Sequence, residues 1–490
     1  MILYAIVLFL IFILGLRYWR SLSVSELHPW TFPLAFALKV GMALCFLFVY
    51  TQVLGHGTLS EDAGVFMRES QMLNHVFWES PLTYFKFLTG VGETQPLIEA
   101  YLPETTHWDV GAQSLINDNK NILRAHSLIH FISFNSEIVH ALVCCFVGLM
   151  GIKQLYITVK PMVSVRKEVV FWVLLLLPSV FFWSSSILKE PFMLLGLGLF
   201  LRGVFHDESQ KKKILFGVIG GLLLLGFKPY VMFMLMPMLT FLATTKLLPK
   251  FKIIGGILIL GILTALLFAS FPKPREKAIQ TISRKQFDFV QVGRGGLHVY
   301  ADSVFYYFRT DQIASLNRDH DTVWLKHDLD AQILKLGQIS DPVPIRLKKA
   351  NNERWIKYFE NTQSDGFIPV TPINNSYGQL IRNIPEALYH ALFRPIPGDP
   401  GGALNWVAFI ETVLLFSALF WTITQRKKLS EQERIRIAGL IIFAFLLSLI
   451  IGWTTPVLGA IARYRIPVYI AILIITGILY QQKSETLTHE

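Results

Sequence analysis

Long apolar runs separated by short polar turns occupy most of the chain, and two long polar stretches interrupt them. The runs lie at 1–16, 31–54, 138–157, 169–187, 191–206, 214–227, 229–245, 252–271, 405–424, 437–453 and 464–480. A helix crossing a bilayer needs about 20 largely apolar residues. The runs reach or approach that length, so the pattern predicts an all-α polytopic membrane protein with about 11 transmembrane helices. The expected organisation is an N-terminal transmembrane part over 1–54, a first outer loop over 55–135 and a central bundle over 138–272. A large outer loop over 273–404, C-terminal helices over 405–480 and a cytoplasmic tail over 481–490 complete it. Arg17 closes the first run and no small-residue cleavage motif follows, so 1–16 is expected to be an uncleaved anchor.

Composition agrees. The chain of 490 residues is 53% hydrophobic and 16% charged, against about 25% charged residues in an ordinary soluble protein. Soluble enzymes, disordered chains and nucleic-acid-binding domains are disfavoured. The formal charge of +11 fits the Lys and Arg excess of cytoplasmic loops better than it fits a nucleic-acid partner. Cys45, Cys144 and Cys145 all lie inside apolar runs, so no disulfide framework braces the loops and no metal–thiolate site is expected.

Charge then orients the helices. Counting loops alternately, one side receives Arg17, Arg20, Lys153, Lys160, Arg166, Lys167, Arg202 and Lys211 to Lys213. It also receives Lys246, Lys250, Lys252, Arg426, Lys427 and Lys428. That side is expected to be cytoplasmic, with the N-terminus outside and the C-terminus inside the cytoplasmic (inner) membrane. The first long loop, with nine acids (Glu104 and Asp109 among them) against four bases, falls on the other side, as does the second. Loops this long are usually functional, so chemistry is expected on the outer face.

In the first loop, Glu61 and Asp62 stand a few residues beyond the second apolar run. Local sequence alone favours a helix cap by Ser60 or Asp62; the functional alternative is a general base at the membrane surface. PLTYFKFL (81–88) and NILRAHSLIHFISF (121–134) are expected to lie as helices in the interface. In the second loop, FDFVQVGRGGLHVYADSVFYYF predicts a strand, a Gly turn and an aromatic helix, and DPVPIRLKKANNERWIKYFENT a further helix, giving a small mixed α/β or α-rich insertion. His320, His327, Asp328 and Asp330 include an Asp-x-Asp pair that could hold a divalent metal, although capping and solvation are the commoner use of such acids. No cofactor or metal ligand is assigned from sequence.

Cations at the outer ends of helices run against the usual bias. Lys189, Lys228, Arg463 and Arg465 sit at three separate turns, and Arg394 enters from the end of the late loop. Ionisable groups near a membrane are functional candidates, and several converging Lys and Arg make a phosphate site. Snorkelling or a Lys189–Glu190 pair is the structural alternative. Lys39, inside the second run, needs a partner that the sequence does not identify.

The acidic pair Glu61–Asp62 after an early span, PSVFFWSSSILKE (178–190), GFKPY (226–230) and ARYRIPVY (462–469) together resemble bacterial membrane glycosyltransferases of the C superfamily. The likeness covers 31–272 and 437–480 and leaves the late outer loop uncovered. It implies a sugar donor linked to polyprenyl phosphate and a glycan, lipid or protein acceptor, with membrane lipids as surroundings. By the same resemblance, Asp62, with Glu61 second, activates the acceptor hydroxyl for an inverting attack. Lys189, Lys228, Arg463 and Arg465 stabilise the departing lipid phosphate. The extra N-terminal span and the late loop before three helices also suit a surface-polysaccharide polymerase or ligase. A transporter or flippase is a third reading, although the sequence shows neither an internal repeat nor matching broken helices.

Overall fold

The computed structural model describes residues 1–103, 105, 107–108, 117–245, 252–270, 272–301, 304–335, 343–351, 353–425 and 427–481. Glu104, Asp109, Lys246, Lys250, Arg426 and the tail beyond 481 lie outside the described residues. The chain forms two units. One comprises Met1–Met236, Ala418–Ile437 and Ile470–Glu490; the other comprises Pro237–Ser417 and Ala438–Tyr469.

The first unit is helical: α1 (Ile2–Tyr18), α2 (Thr31–Phe48), α3 (Glu61–Glu79), α4 (Pro81–Thr89), α5 (Gln95–Tyr101), α6 (Asp118–Ser133), α7 (Glu137–Val159), α8 (Lys167–Leu176), α9 (Pro178–Trp183), α10 (Glu190–Phe205) and α11 (Gln210–Phe227), then the start of α12 (Pro229–Thr244). The chain continues through α13 (Lys252–Ser270), α14 (Pro272–Arg294), a sheet, α15 (Tyr377–Arg382), α16 (Ile384–Phe393), α17 (Ala403–Thr424), α18 (Glu431–Thr454), α19 (Leu458–Tyr464) and α20 (Ile466–Leu479).

The expected count of 11 spans is corrected. Among the described residues, four helices are long and apolar enough to cross a membrane: Thr31–Val53, Glu137–Met162, Ala403–Thr424 and Glu431–Thr454. A fifth arises if α19 and α20, bent by 50° at their junction, count as one. Several of the other apolar runs fall short for readable reasons. The run 169–187 breaks before Pro178, which cannot continue the backbone ladder of α8. Helices α10 and α12 have 16 residues each, about 24 Å at 1.5 Å per residue against a hydrocarbon core of about 30 Å. Helix α11 opens on Lys211, Lys212 and Lys213.

Packing in the first unit explains Lys39. Its ammonium is fully buried and donates to Ser184 O at 2.9 Å, Ser184 Oγ at 2.7 Å and Ser185 Oγ at 3.0 Å. An unpaired charge at this depth would carry a large desolvation cost, so the SSS turn after α9 is the partner that the sequence left unnamed. Gly148 on α7 makes room for it: a Cβ there would stand 2.4 Å from Ser184 O and 3.2 Å from Lys39 Nζ.

The late loop of the second unit, expected as a small mixed α/β or α-rich insertion in an all-α protein, carries an antiparallel sheet. Seven antiparallel strands, β1 (Gly296–Ala301), β2 (Val304–Phe308), β3 (Leu316–Asp319), β4 (Thr322–Leu325), β5 (Leu329–Lys335), β6 (Val343–Leu347) and β7 (Trp355–Asn361), form a sheet in the order β3-β4-β7-β1-β2-β5-β6. FDFVQVGR ends α14 and is helix, not strand; Gly295 and Gly296, at φ +70° and +91°, turn the chain into β1. The expected aromatic helix is β2, and the expected helix over 341–362 is β6, a short 3₁₀ turn and β7. Alternation decides it: Leu297 and Val299 enter a core with Phe308, Val323 and Trp355, while the intervening His298 is buried on the opposite face, where its Nε2 shares a hydrogen bond with Gln291 of α14. Period-two burial of this kind belongs to a strand. The Asp-x-Asp acids serve the sheet. Asp330 pairs with cross-strand Arg346 at 3.1 Å and Asp328 accepts from Lys349 N at 3.0 Å. His320 sits in the β3–β4 turn, 98% exposed, and His327 is exposed as well.

Gly148→Ala is expected to destabilise the first unit by about 1–3 kcal/mol through overpacking, seen as a lower thermal midpoint in detergent. An unchanged midpoint would mean that Lys39 and Ser184 are not held as described.

Candidate functional site

Three helix beginnings in the first unit bring charges together in one buried layer. Asn117 caps α6, its side chain accepting from Asn119 N and Lys120 N at 3.1 Å each, which fixes the first turn carrying Asp118, Lys120 and Asn121. Lys189, the N-cap residue of α10, donates to Asp118 Oδ2 and Asn119 Oδ1, both at 2.5 Å. Glu190 stands 3.0 Å from Lys228, the residue between α11 and α12. Asn121 donates to Gly226 O at 3.2 Å, tying α6 to the end of α11. Lys120 and Arg124 share Glu93, Arg124 at 3.4 Å, and both lie over the buried Trp108 ring at 5.2 and 5.6 Å. Arg124 also donates to Phe87 O at 2.7 Å and Asn121 Oδ1 at 2.8 Å. Burial pulls this guanidinium below its ordinary range, and Glu93 pushes it back.

The layer holds four cations and three carboxylates. Lys120, Arg124, Lys228 and Glu190 are buried. Buried charges persist only when paired and hydrogen-bonded, so this end of α6, α10 and α11 is held together by mutual neutralisation. In place of the Lys189–Glu190 pair offered as the structural alternative, Lys189 takes Asp118 and Glu190 takes Lys228.

The acidic pair begins α3. Glu61 is exposed and sits at φ +53°, a left-handed conformation that costs a non-glycine residue about 1–3 kcal/mol and clusters at functional sites. Ser60 makes no side-chain cap; its hydroxyl donates to Tyr50 O at 2.7 Å. Asp62, exposed in the first turn, is past the capping position, so neither residue acts as the expected N-cap. One turn on, Phe66 lies below Lys189 Nζ at 5.6 Å. Residues four apart share a helix face, so Asp62 stands on the same side of α3 as the aromatic floor of Lys189. Further along, the buried Glu69 holds His107 at 2.9 Å.

The remaining predicted cations belong to the second unit. Arg465 is fully buried and committed to its neighbours: it donates to Arg394 O, to Ala408 O at 3.3 Å and to Thr412 Oγ1 at 3.1 Å, and lies over Tyr469 at 4.4 Å. Its Nε is buried without a hydrogen-bond partner among the described residues. Arg394 faces Asp399 at 3.6 Å and Tyr389 at 5.4 Å; the half-buried Arg463 donates to Tyr464 Oη at 3.2 Å. The structure thus gathers Lys189 and Lys228 with the α3 acids in one unit, and Arg394 with Arg465 in the other.

Sequence reasoning missed several members of the layer. Glu93, Lys120, Arg124 and Asp118 were counted only as loop charges, although the i, i+4 pair Lys120/Arg124 was a readable signal of one helix face. It also missed His126, His130 and His140, all buried, with His126 and His140 at 2.7 Å and Ser70 sharing a hydrogen bond with His130 at 2.9 Å. Burial drives His126 down to about 3 and His130 down to about 4.

No protein-family model, curated protein or solved structure matches this chain.

Glu93→Gln is expected to destabilise the first unit by about 3–5 kcal/mol, because it leaves Lys120 and Arg124 buried without their carboxylate. The exposed Glu99→Gln should move stability by less than about 0.5 kcal/mol. Equal unfolding midpoints for the two variants would refute the neutralisation argument.

Proposed function

We propose that the protein is an integral membrane glycosyltransferase. It transfers a sugar from a polyprenyl-phosphate donor to an acceptor at the extracytoplasmic face of the cytoplasmic membrane. The observation that carries this reading is Lys189, a member of the charged layer, standing 5.6 Å over Phe66, one turn along α3 from Asp62. A lipid phosphate entering there joins an existing network of cations and carboxylates. Lysine ammonium groups carry three donors each, and preorganised cations facing a developing phosphate charge are the largest single contribution in reactions of this class.

In the proposed reaction Asp62 takes the proton of the acceptor hydroxyl, and that oxygen attacks the anomeric carbon of the donor. The bond from that carbon to the phosphate oxygen breaks with inversion, and the electron pair leaves on the lipid phosphate. Lys189 and Lys228 stabilise it.

The placement at a membrane surface draws further support from α4 and its neighbours. Trp78, Leu82 and Phe85 present apolar side chains that are 70%, 71% and 51% exposed, next to the aromatic cluster of Phe77, Tyr84 and Phe131. An exposed apolar face on short helices suits the headgroup boundary. In this proposal the first long loop, which carries Glu61 and Asp62, lies outside.

Asp62→Asn is expected to fold with an unchanged midpoint and still bind the lipid donor, because the side chain is exposed and its shape is kept. Loss of a general base costs typically about 10²–10⁴-fold in rate, so transfer of labelled sugar from polyprenyl phosphate should fall by that factor, while Glu61→Gln retains substantial activity. Full activity in both variants would remove the base from this loop and the assignment with it.

A further inference from the structure

We infer that His126, His140 and Cys144 form a binding site for one monovalent soft metal ion, copper(I), buried between α6 and α7. One nitrogen of each imidazole and Cys144 Sγ lie within 4.8 Å of one another, and all three residues are buried. Ligands around one ion stand about 3.3–3.9 Å apart, given metal–ligand bonds of about 2.0–2.3 Å. The two rings now share a hydrogen bond at 2.7 Å, which an ion entering the group replaces as the ring nitrogens move apart by about 1 Å to reach that spacing.

The surroundings are built as a ligand shell. Ser133 Oγ lies 3.2 Å from His140 Nδ1, and a hydrogen bond to one ring nitrogen is what orients the other toward a metal. That other nitrogen, Nε2, faces His126. His126 keeps its own Nε2 buried without a hydrogen-bond partner among the described residues, a state that costs free energy unless the site has a use. Phe192 stands edge-on to the His126 ring at 5.8 Å, closing that side with apolar surface. The two neighbouring cysteines differ: Cys145 Sγ donates to Lys39 O and Ser185 O, while Cys144 makes no hydrogen bond among the described residues. His140 and Cys144 are four residues apart on α7, hence on one face.

Charge selects the ion. Imidazole binds metals as the neutral ring and cysteine as the thiolate. Binding copper(I) breaks the S–H bond, forms the Cu–S bond and releases one proton to the buffer. One positive charge replaces another, and the net charge of the buried site is unchanged. A divalent ion would leave an uncompensated charge in an apolar interior, which is costly. Thiolate and imidazole are also the ligands that suit copper(I).

The test uses the full-length protein in detergent with Cys45→Ser, which removes the exposed thiol. Copper(I) is supplied anaerobically against a competing chelator, and Zn²⁺ is titrated in parallel. One equivalent of copper(I) is expected, with Cys145→Ser retaining it. Cys144→Ser and His140→Gln should weaken it by more than about 100-fold at unchanged thermal midpoints. X-ray absorption of the loaded protein should show two nitrogen scatterers and one sulfur, which keeps the test decisive should either ligand variant fail to fold. Absence of stoichiometric copper(I), equal binding by the ligand variants, a shell without sulfur, or binding of Zn²⁺ alone would each overturn the inference.

Discussion

Neutralisation of buried cations by neighbouring carboxylates is the constraint on which the first unit depends. Lys228 with Glu190, Lys189 with Asp118, and Lys120 and Arg124 with Glu93 bring together charges from a loop, two helix starts and a turn. Removing Glu93 takes the shared carboxylate from the buried Lys120 and Arg124. Apolar pairs would hold the same helices at no greater cost, so charges at this depth point to a use beyond stability. Lys39 obeys the same rule through hydroxyl and carbonyl oxygens, with Gly148 giving up a side chain to make the room.

The helical framework was legible wherever an apolar run was long. The runs at 31–54, 138–157, 405–424 and 437–453 all sit in helices long enough to span. Others failed on length, on Pro178, or on the lysines of α11, features that are visible in the sequence but that hydropathy alone does not weigh. The late loop misled differently. Its strands are short and rich in aromatic residues with interleaved charges, and WIKYFEN reads equally as one side of a helix. Only pairing with β1 and β4 shows which period is used. Tertiary context decides such segments.

The candidate site was legible in part. Lys189, Lys228 and the Glu61–Asp62 pair were each marked by position, but their partners come from Asp118, some 70 residues earlier in sequence, and from Glu190, adjacent to the wrong lysine. Pairing over such separations carries no local signal. The His126–His140–Cys144 group was hidden for another reason: cysteines in apolar runs read as packing, and the i, i+4 spacing of His140 and Cys144 becomes informative only once α6 brings His126 alongside.

The claim at the centre of this account is that the paired cations receive a lipid phosphate. The direct measurement is equilibrium binding of polyprenyl phosphate and of the uncharged polyprenol to the same detergent-solubilised protein. Each should also be measured on the charge-swapped variant Lys228→Glu/Glu190→Lys. The account predicts that the phosphate form binds at least about tenfold more tightly, a difference of about 1.4 kcal/mol, and that the swap abolishes the preference while the thermal midpoint stays within a few degrees of the parent. Equal affinity for the two lipids, or a preference that survives the swap, would contradict it.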